Sequence, residues 1–164
     1  MKRIGLLSDT HGYLHPKIFE FFKEVDEIWH AGDIGNIEIA EDIEIFKPLT
    51  AVHGNIDDYD VRNIYPKFQI FHCEKVKILM THIGGYPGKY NSETYKKIIK
   101  EKPQLFISGH SHILKVIYDK KNKLLHMNPG AAGINGLHNV ITMIRFTIDE
   151  EKIKDLEVLE IKRD

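Results

Sequence analysis

The chain opens with the stretch Ile4-Gly5-Leu6-Leu7-Ser8-Asp9-Thr10-His11-Gly12, an apolar run that passes directly into a carboxylate and an imidazole. A short apolar run that a glycine closes is typical of a buried strand. Because side chains alternate between the faces of a strand, Asp9 and His11 are predicted to leave on the same side. A carboxylate beside an imidazole at a strand end indicates the start of a metal site or a catalytic pair.

Length and composition predict one globular domain that spans residues 1–164. Hydrophobic residues make up 42% and charged residues 29% of the chain, as in soluble proteins. No apolar run reaches the roughly 18–20 residues that a membrane-spanning helix needs. The start Met1-Lys2-Arg3 leads straight into a strand and lacks the apolar region of a signal peptide. We therefore expect a cytoplasmic protein without a membrane anchor.

The charge balance argues against duplex nucleic acid as a partner. Basic and acidic residues number 23 and 24, and the formal net charge is -1. A surface that binds duplex nucleic acid needs clustered Lys and Arg, so such a partner is not expected. The 10 histidines are the unusual feature, because histidine is both the commonest metal ligand and a frequent general acid or base.

Hydrophobic periodicity in the first half predicts alternating strands and helices. A helix is predicted over 16–25, a strand over 27–31, and a second helix that Asn36 caps and Pro48 ends. A third strand is predicted over 49–53. This β-α-β-α-β order is typical of a parallel sheet with helices packed on it.

The second half is richer in strands. A hairpin around Glu74-Lys75 is predicted, followed by a helix that begins near Asn91 or Ser92 and buries Tyr95, Ile98 and Ile99. Further strands are predicted over 105–108, 114–118, 124–127, 140–148 and 153–161. His72 and His126 fall in these strands, and His30 lies before Gly32, so structural roles are predicted for all three.

Five strands end in polar residues of similar type. Their ends are Asp9-Thr10-His11, Gly32-Asp33, Gly54-Asn55, Thr81-His82 and Gly109-His110-Ser111-His112. The carboxyl ends of strands in α/β sheets line one crevice, and the carboxylates and imidazoles there would need a cation to compensate them. Oxygen and nitrogen ligands suit manganese, iron, nickel, cobalt, zinc or, less well, magnesium. The set exceeds the needs of one tetrahedral ion and suits two ions that share Asp33.

This ordered set of motifs resembles the calcineurin-like metallophosphoesterase superfamily. The short chain and the segment Asn128-Pro129-Gly130 resemble its small bacterial and archaeal phosphodiesterase branch. The resemblance covers residues 2–146. It implies a four-layer α/β/β/α sandwich in which two mixed sheets lie face to face with helices outside.

The resemblance also implies a set of ligands and a reaction. One divalent ion would be held by Asp9, His11, Asp33 and His112, and the other by Asp33, Asn55, His82 and His110. A hydroxide that bridges the two ions would attack the phosphorus of a small phosphate ester, and a phosphodiester is the expected substrate. Manganese is the expected metal. Asn55 would also bind the phosphate, as would backbone N–H groups around Gly130, with Asn128 shaping that turn.

One position departs from the family pattern. Many members carry histidine after Gly-Asn, where it protonates the leaving group, but this chain carries Ile56. General acid catalysis typically contributes 10²–10⁴-fold, so we expect esters with acidic leaving groups to react faster than alkyl esters. His53, His15 and His138 are candidate replacements.

Two alternatives to a phosphodiesterase remain open from the sequence alone. The chain could be a catalytically silent scaffold, like the retromer scaffold subunit that this fold resembles, or a nuclease like some larger relatives. It could also form a homo-oligomer, which the sequence does not decide. The loop that contains Tyr86, Pro87, Lys89 and Tyr90 follows His82 and is a candidate border of the substrate cleft.

Overall fold

The computed structural model describes residues 1–163 as two sheets with short helices between the strands. The elements in chain order are β1 (Lys2–Leu7), α1 (Lys17–Phe21), β2 (Glu27–His30), α2 (Ile37–Phe46), β3 (Leu49–Ala51), α3 (Tyr59–Ile64), β4 (Phe68–Cys73), β5 (Val76–Thr81), α4 (Ser92–Glu101), β6 (Leu105–Ile107), β7 (Leu114–Asp119), β8 (Leu124–Pro129), β9 (Val140–Asp149) and β10 (Lys152–Lys162). None of these helices is long and apolar enough to span a bilayer.

Both sheets have five strands and both are mixed. The first has the order β10-β9-β1-β2-β3, with β1, β2 and β3 parallel and β9 antiparallel to both β1 and β10. The second has the order β4-β5-β6-β8-β7, with a parallel centre of β5, β6 and β8 and an antiparallel strand at each edge. The predicted sandwich of two mixed sheets is confirmed.

The main core lies between the two sheets. Leu6 and Trp29 of the first sheet pack there with Met80 and Ile107 of the second, and all four are fully buried. Leu7, next to Leu6, joins a separate cluster on the outer face of the first sheet, as strand alternation requires. Because β1 is covered on both faces, it reads as a continuous apolar run.

Helices cover the outer faces and complete four layers. Residues of α1 and α2, among them Ile18 and Ile43, pack on the first sheet, and Ile98 of α4 packs with Phe106 on the second. The side chain of Asn36 accepts a hydrogen bond from the N–H of Ile39 (3.1 Å), which confirms the predicted start of α2. Asn91 caps α4 in the same way.

Several local predictions are wrong. The helix predicted over 16–25 ends at Phe21, because the segment beyond tightens into turns that still bury Phe22 and Val25. The predicted strand over 49–53 ends at Ala51. Within α4, Ile99 is 52% exposed, because α4 turns its Ile98 side toward the sheet. Helix α3 was not predicted; it begins after Asp58, whose side chain accepts a hydrogen bond from the N–H of Val61.

Candidate metal centre

The polar strand ends meet at one edge of the sandwich. Asp9 follows β1, Asp33 follows β2 and Asn55 follows β3, while His82 follows β5 and the His110 loop follows β6. Hydrogen bonds join these loops within each sheet, where the N–H of His11 donates to the Asp33 carbonyl (3.0 Å) and the N–H of Gly109 donates to the His82 carbonyl (3.0 Å). Between the sheets, the N–H of His110 donates to Asp9 Oδ2 (3.1 Å). Residues more than a hundred positions apart therefore face one another.

The first ligand cluster contains Asp9, His11 and His112. One potential ligand atom from each lies within 4.8 Å of the other two. Asp9 Oδ1 lies 3.1 Å from His112 Nε2 and 3.7 Å from His11 Nε2, and the Asp9 side chain is fully buried.

The second ligand cluster contains Asp33, His82 and His110, again within 4.8 Å of one another. His82 Nε2 lies 3.2 Å from Asp33 Oδ2. Asn55 adjoins this cluster, because its Oδ1 lies 3.1 Å from His110 Nδ1. His110 and His112, two positions apart, thus belong to different clusters.

Asp33 connects the two clusters. The same oxygen, Oδ2, lies 3.2 Å from His82 Nε2 and 3.3 Å from His11 Nε2. A carboxylate oxygen between two groups of ligands is the arrangement that a bridging ligand needs. The seven residues singled out in the sequence are all at this edge, and their assignment as ligands remains a prediction.

The centre contains polar atoms that the protein itself does not satisfy. Within residues 1–163, Asp9 Oδ1, His11 Nε2 and His82 Nε2 are buried and have no hydrogen-bond partner. An unsatisfied buried polar group costs about 1–3 kcal/mol, and more if it is charged. Divalent cations between these atoms would satisfy all three. The donor set therefore fits divalent metal ions, and its two clusters fit a pair of them.

A backbone contact orients one of these imidazoles. His82 Nδ1 lies 2.8 Å from the carbonyl oxygen of Ala31, to which it donates a hydrogen bond, so Nε2 is directed at the carboxylates. Metal-binding histidines are usually held in this way by a group on the opposite ring nitrogen. His82 thus has the tautomer and orientation of a metal ligand.

A buried carboxylate that the sequence analysis missed joins two of the loops. Asp57 accepts hydrogen bonds from the N–H groups of Gly54 (2.7 Å), Gly35 (2.8 Å) and Ile34 (3.2 Å). Arg62 of α3 donates to the carbonyl of Asp57 (2.6 Å). These contacts fasten the Asn55 loop to the loop that carries Asp33. The signal was present in the motif Gly54-Asn55-Ile56-Asp57, whose last residue is acidic.

The backbone of the site is strained at the ligands themselves. Asp9, His11, Asp33, His110 and His112 all have positive φ, between 46° and 71°. Left-handed backbone is unfavourable for residues other than glycine and tends to occur where function requires it. Strand alternation was predicted to direct the side chains of Asp9 and His11 to the same side, and this explanation is wrong. β1 ends at Leu7, and a turn with left-handed backbone at both residues sets their directions.

Gly54 is required by a close approach rather than by its own φ. A Cβ at this position would collide with Asp33 Oδ1 and with the Asp33 backbone nitrogen. Any larger residue would therefore push Asp33 away from the histidines. This explains why a glycine precedes Asn55.

The charges in the centre stabilise one another. Burial raises the pKa of Asp9, but the close imidazoles of His11, His112 and His82 outweigh it and hold that pKa well below its usual range. Burial lowers the pKa of His82, yet Asp33 and Asp9 outweigh it and raise that pKa overall. The carboxylates and imidazoles of the centre therefore stabilise one another's charged forms.

Asn128 and Gly130, predicted to contact the phosphate, lie beside the His110 loop. The Asn128 side chain donates to the carbonyl of Gly109 (3.0 Å) and accepts from the N–H of Gly130 (3.0 Å). Asn128 therefore shapes the turn and supports the loop that carries His110. The Gly130 N–H is engaged in that contact, and phosphate binding at either residue remains a prediction.

The three candidate proton donors differ in position. His53 shares a cleft of about 250 Å³ with Asn55 and His82, and its Nδ1 donates to the Tyr65 carbonyl (2.8 Å). The ring of His138 meets the ring of His112 edge-on, with 5.1 Å between centroids. His15 accepts from the N–H of Lys17 and packs against Tyr13, outside both ligand clusters.

His30 has a structural role, as predicted. Its Nδ1 accepts from the N–H of Gly32 (3.1 Å), and its Nε2 lies 2.9 Å from the hydroxyl oxygen of Thr10. That hydroxyl donates to the carbonyl of Ile34 (2.8 Å), so it accepts from His30. Both ring nitrogens are satisfied, which leaves none for a metal.

Comparison with known proteins agrees with this geometry. One protein family, described as the calcineurin-like phosphoesterase superfamily domain, matches residues 1–151. A probable metallophosphoesterase from Methanothermobacter thermautotrophicus is 27% identical over 162 residues, which cover 95% of this chain and 91% of that protein.

Solved structures share the fold. An archaeal phosphodiesterase superposes with a TM-score of 0.74 at 22% identity, over 97% of this chain and 99% of its own. Vps29 from Chaetomium thermophilum superposes with a TM-score of 0.75 at 13% identity, over 99% and 98%. At these identities the likeness establishes the architecture and leaves the reaction to the residues of the site.

Proposed function

The chain belongs to the calcineurin-like phosphoesterase superfamily, and on that premise we propose that it is a metal-dependent phosphodiesterase acting on small phosphate esters. The observation that carries the proposal is the convergence of three buried, unsatisfied ligand atoms from Asp9, His11 and His82. A purely structural arrangement would have paired these atoms with the protein.

The residues suggest how two ions would be held. Asp9, His11 and His112 would bind one, and His82, His110 and Asn55 the other, with Asp33 between them. Bound divalent ions would lower the pKa of a water and offset the negative charge of the phosphoryl oxygens. Manganese is the ion we propose first, since carboxylate and amide oxygens suit it, and nickel, iron, cobalt and zinc fit the same oxygen and nitrogen ligands.

The chain itself would position these groups rigidly. Asp57 fastens the Asn55 loop, and the carbonyl of Ala31 orients His82, so neither ligand has to be ordered when substrate arrives. Prior positioning can contribute about 7–11 kcal/mol of a reaction barrier. The Asn55 side chain is the group we propose to contact both an ion and a phosphoryl oxygen.

The leaving group decides which esters react quickly. Ile56 is 45% exposed at the position where many relatives carry a proton donor, and its side chain cannot protonate an alkoxide. We therefore expect nitrophenyl diesters to be hydrolysed at least about 100-fold faster than dialkyl diesters. Equal rates on both classes would show that another residue, such as His53 or His138, donates the proton.

The decisive experiment measures hydrolysis of bis-p-nitrophenyl phosphate across a panel of divalent metals with a chelated control. We expect activity with manganese or nickel, no activity in chelator, and loss of both activity and bound metal in Asp33→Ala. Asp42→Ala, which removes an exposed carboxylate on α2, is the matched control and should behave as wild type. Full activity in chelator would refute the proposal.

The scaffold alternative makes the opposite prediction. A silent scaffold would stay inactive on every ester even when metal analysis shows both ions bound. Retention of all seven predicted ligands in one place argues against it. Cleavage of single-stranded oligonucleotides would instead favour a nuclease, which the net charge of -1 does not support.

A further inference from the structure

A second cleft opens beside His110, on the side of the metal centre that the second sheet forms. Its volume is about 280 Å³. Its lining residues come from the loop after β5, the loop after β6 and the outer face of β7 and β8, and they include Ile83, Tyr86, His110, Ile113, Lys115 and His126. Because His110 lines this cleft and also belongs to a ligand cluster, a molecule bound at the metals would extend directly into it.

The walls of the cleft are apolar although they are open to solvent. Ile83 is 44% exposed, Tyr86 38% and Ile113 62%. Large apolar side chains that gather around a concavity, rather than being scattered singly, mark a binding site. The organic part of a ligand would remove this surface from water.

The ring of Tyr86 forms one wall of the cleft, and Lys115 holds it in position. Lys115 Nζ lies 4.1 Å from the centroid of the Tyr86 ring, a cation–π contact that fixes the ring against β7. Aromatic rings prefer offset or edge-on contact with a second ring, so a fixed tyrosine favours a flat, unsaturated group. Tyr90, the other tyrosine of the loop, donates to Asp119 (2.7 Å) and does not line the cleft.

His126 is also a lining residue of this cleft, and with only 1% of its surface exposed it is almost completely buried. Its Nδ1 donates to the carbonyl of Phe106 (3.2 Å), and its ring stacks on the Phe106 ring with 5.2 Å between centroids. Burial lowers the pKa of His126 to about 4, so the imidazole is neutral near pH 7. Its Nε2 is consequently an acceptor, suited to an N–H group on the edge of a ring.

We propose that this cleft binds the ester group that is not displaced, and that this group carries a flat nitrogen-containing ring such as a nucleobase. The inference rests on the proposed phosphodiesterase function and names its substrate class. The volume is near the lower end of ligand sites, so it admits one ring system and excludes a polymer.

Two substrates with the same leaving group test the inference: the p-nitrophenyl ester of thymidine 5′-monophosphate and methyl p-nitrophenyl phosphate. We expect wild-type kcat/KM to favour the thymidine ester about tenfold, as base–aromatic stacking predicts. Tyr86→Ala should bring the ratio close to one, mainly through KM, and Tyr86→Phe should retain the preference. Tyr118→Ala removes an exposed tyrosine of β7 that does not line the cleft and should keep the wild-type ratio.

A measurement that needs no turnover separates this inference from the proposed function. Saturation-transfer NMR should show the base protons of thymidine 5′-monophosphate in contact with wild type and with Tyr86→Phe, but not with Tyr86→Ala. If neither ester is hydrolysed by metal-loaded protein, the proposed function fails, and the NMR result still decides on the cleft. An unchanged ratio and unchanged NMR contacts in Tyr86→Ala would overturn the ring-binding inference while leaving the phosphodiesterase intact.

Discussion

Histidine has opposite roles in the loops at the metal edge and in the strands beneath them. His82 and His30 are both buried, and each uses one ring nitrogen to contact a backbone group. The second nitrogen of His82 faces Asp33 and Asp9, whereas the second nitrogen of His30 meets the hydroxyl of Thr10. The partner of the second nitrogen thus separates a candidate ligand from a structural residue.

The same difference appears in the acid–base behaviour of these residues. Burial lowers the pKa of His30 and of His126 to about 4, so both are neutral near pH 7. His82 is buried as well, but Asp33 and Asp9 lie close enough to raise its pKa above the usual value. At His82, carboxylates within about 4 Å outweigh desolvation and raise the pKa. At His30 and His126, in the strands, no carboxylate of residues 1–163 is that close, so desolvation lowers the pKa.

The largest expected effect comes from removing a histidine of the edge. His82→Ala should lower hydrolysis of bis-p-nitrophenyl phosphate at least about a thousandfold, because one ion would lose a ligand and its charge compensation. Metal content per chain, measured by atomic emission after dialysis, should fall in parallel. If this variant kept the metal content and the rate of the wild type, His82 would be a structural residue like His30 and not a metal ligand.

Replacing His30, which lies in β2 below the metal edge, should mainly lower the stability of the protein. His30→Ala leaves the Thr10 hydroxyl and the Gly32 N–H without their partner and opens a cavity, so it should lower the free energy of unfolding by about 3 kcal/mol. Urea denaturation checks this value. His72→Ala, at an exposed position on β4, is the control and should change stability by less than about 0.5 kcal/mol.

The pH dependence of stability extends the comparison to His126. Its pKa is near 6.5 in an unfolded chain and about 4 in the folded one, so the unfolded state binds more protons between these values. The free energy of unfolding should therefore fall as the pH drops, by about 2 kcal/mol from this group between pH 7 and pH 5. His126→Gln should remove that part of the slope. A wild-type slope in the variant would contradict a neutral, buried His126.

Asp57 is the carboxylate counterpart of His30, since its side chain bonds to three backbone N–H groups and faces no ligand nitrogen. Asp57→Asn keeps the shape but replaces an acceptor oxygen with a donor, which would loosen the Asn55 loop. We expect activity to fall about tenfold, as for groups that support metal ligands. Asp60→Asn, an exposed neighbour on α3, should have no effect.

Much of the fold could be predicted because its signals are local. Apolar runs marked β1, β2, β5 and β6, and Asn36 and Asn91 marked the starts of two helices. The missed helix α3 is short and polar, with Val61 as its only buried residue, so it leaves no periodic pattern. Ile99 was misassigned because its spacing also suits the buried face of a helix.

The ligand set could be predicted from residue type and order, but its geometry could not. Asp57 stood in the motif Gly54-Asn55-Ile56-Asp57, but its role was not predicted, because its partners Gly35 and Ile34 lie about twenty positions away in the sequence. The positive φ of Asp9 and His112 was likewise not predicted, because Asp and His are enriched in left-handed backbone but only a minority of them adopt it.

The sequence by itself determined which side chains stand at the strand ends, the order of the elements and the absence of thiolate ligands, because these depend on residue type and short-range periodicity. The family resemblance already implied that His110 and His112 hold different ions and that Asp33 is shared, but only the tertiary structure gave the distances and the left-handed turns that place these side chains. Those facts depend on how two sheets pack face to face and on the turns that end their strands. Contacts across more than a hundred positions are set by that packing, and no local pattern encodes them.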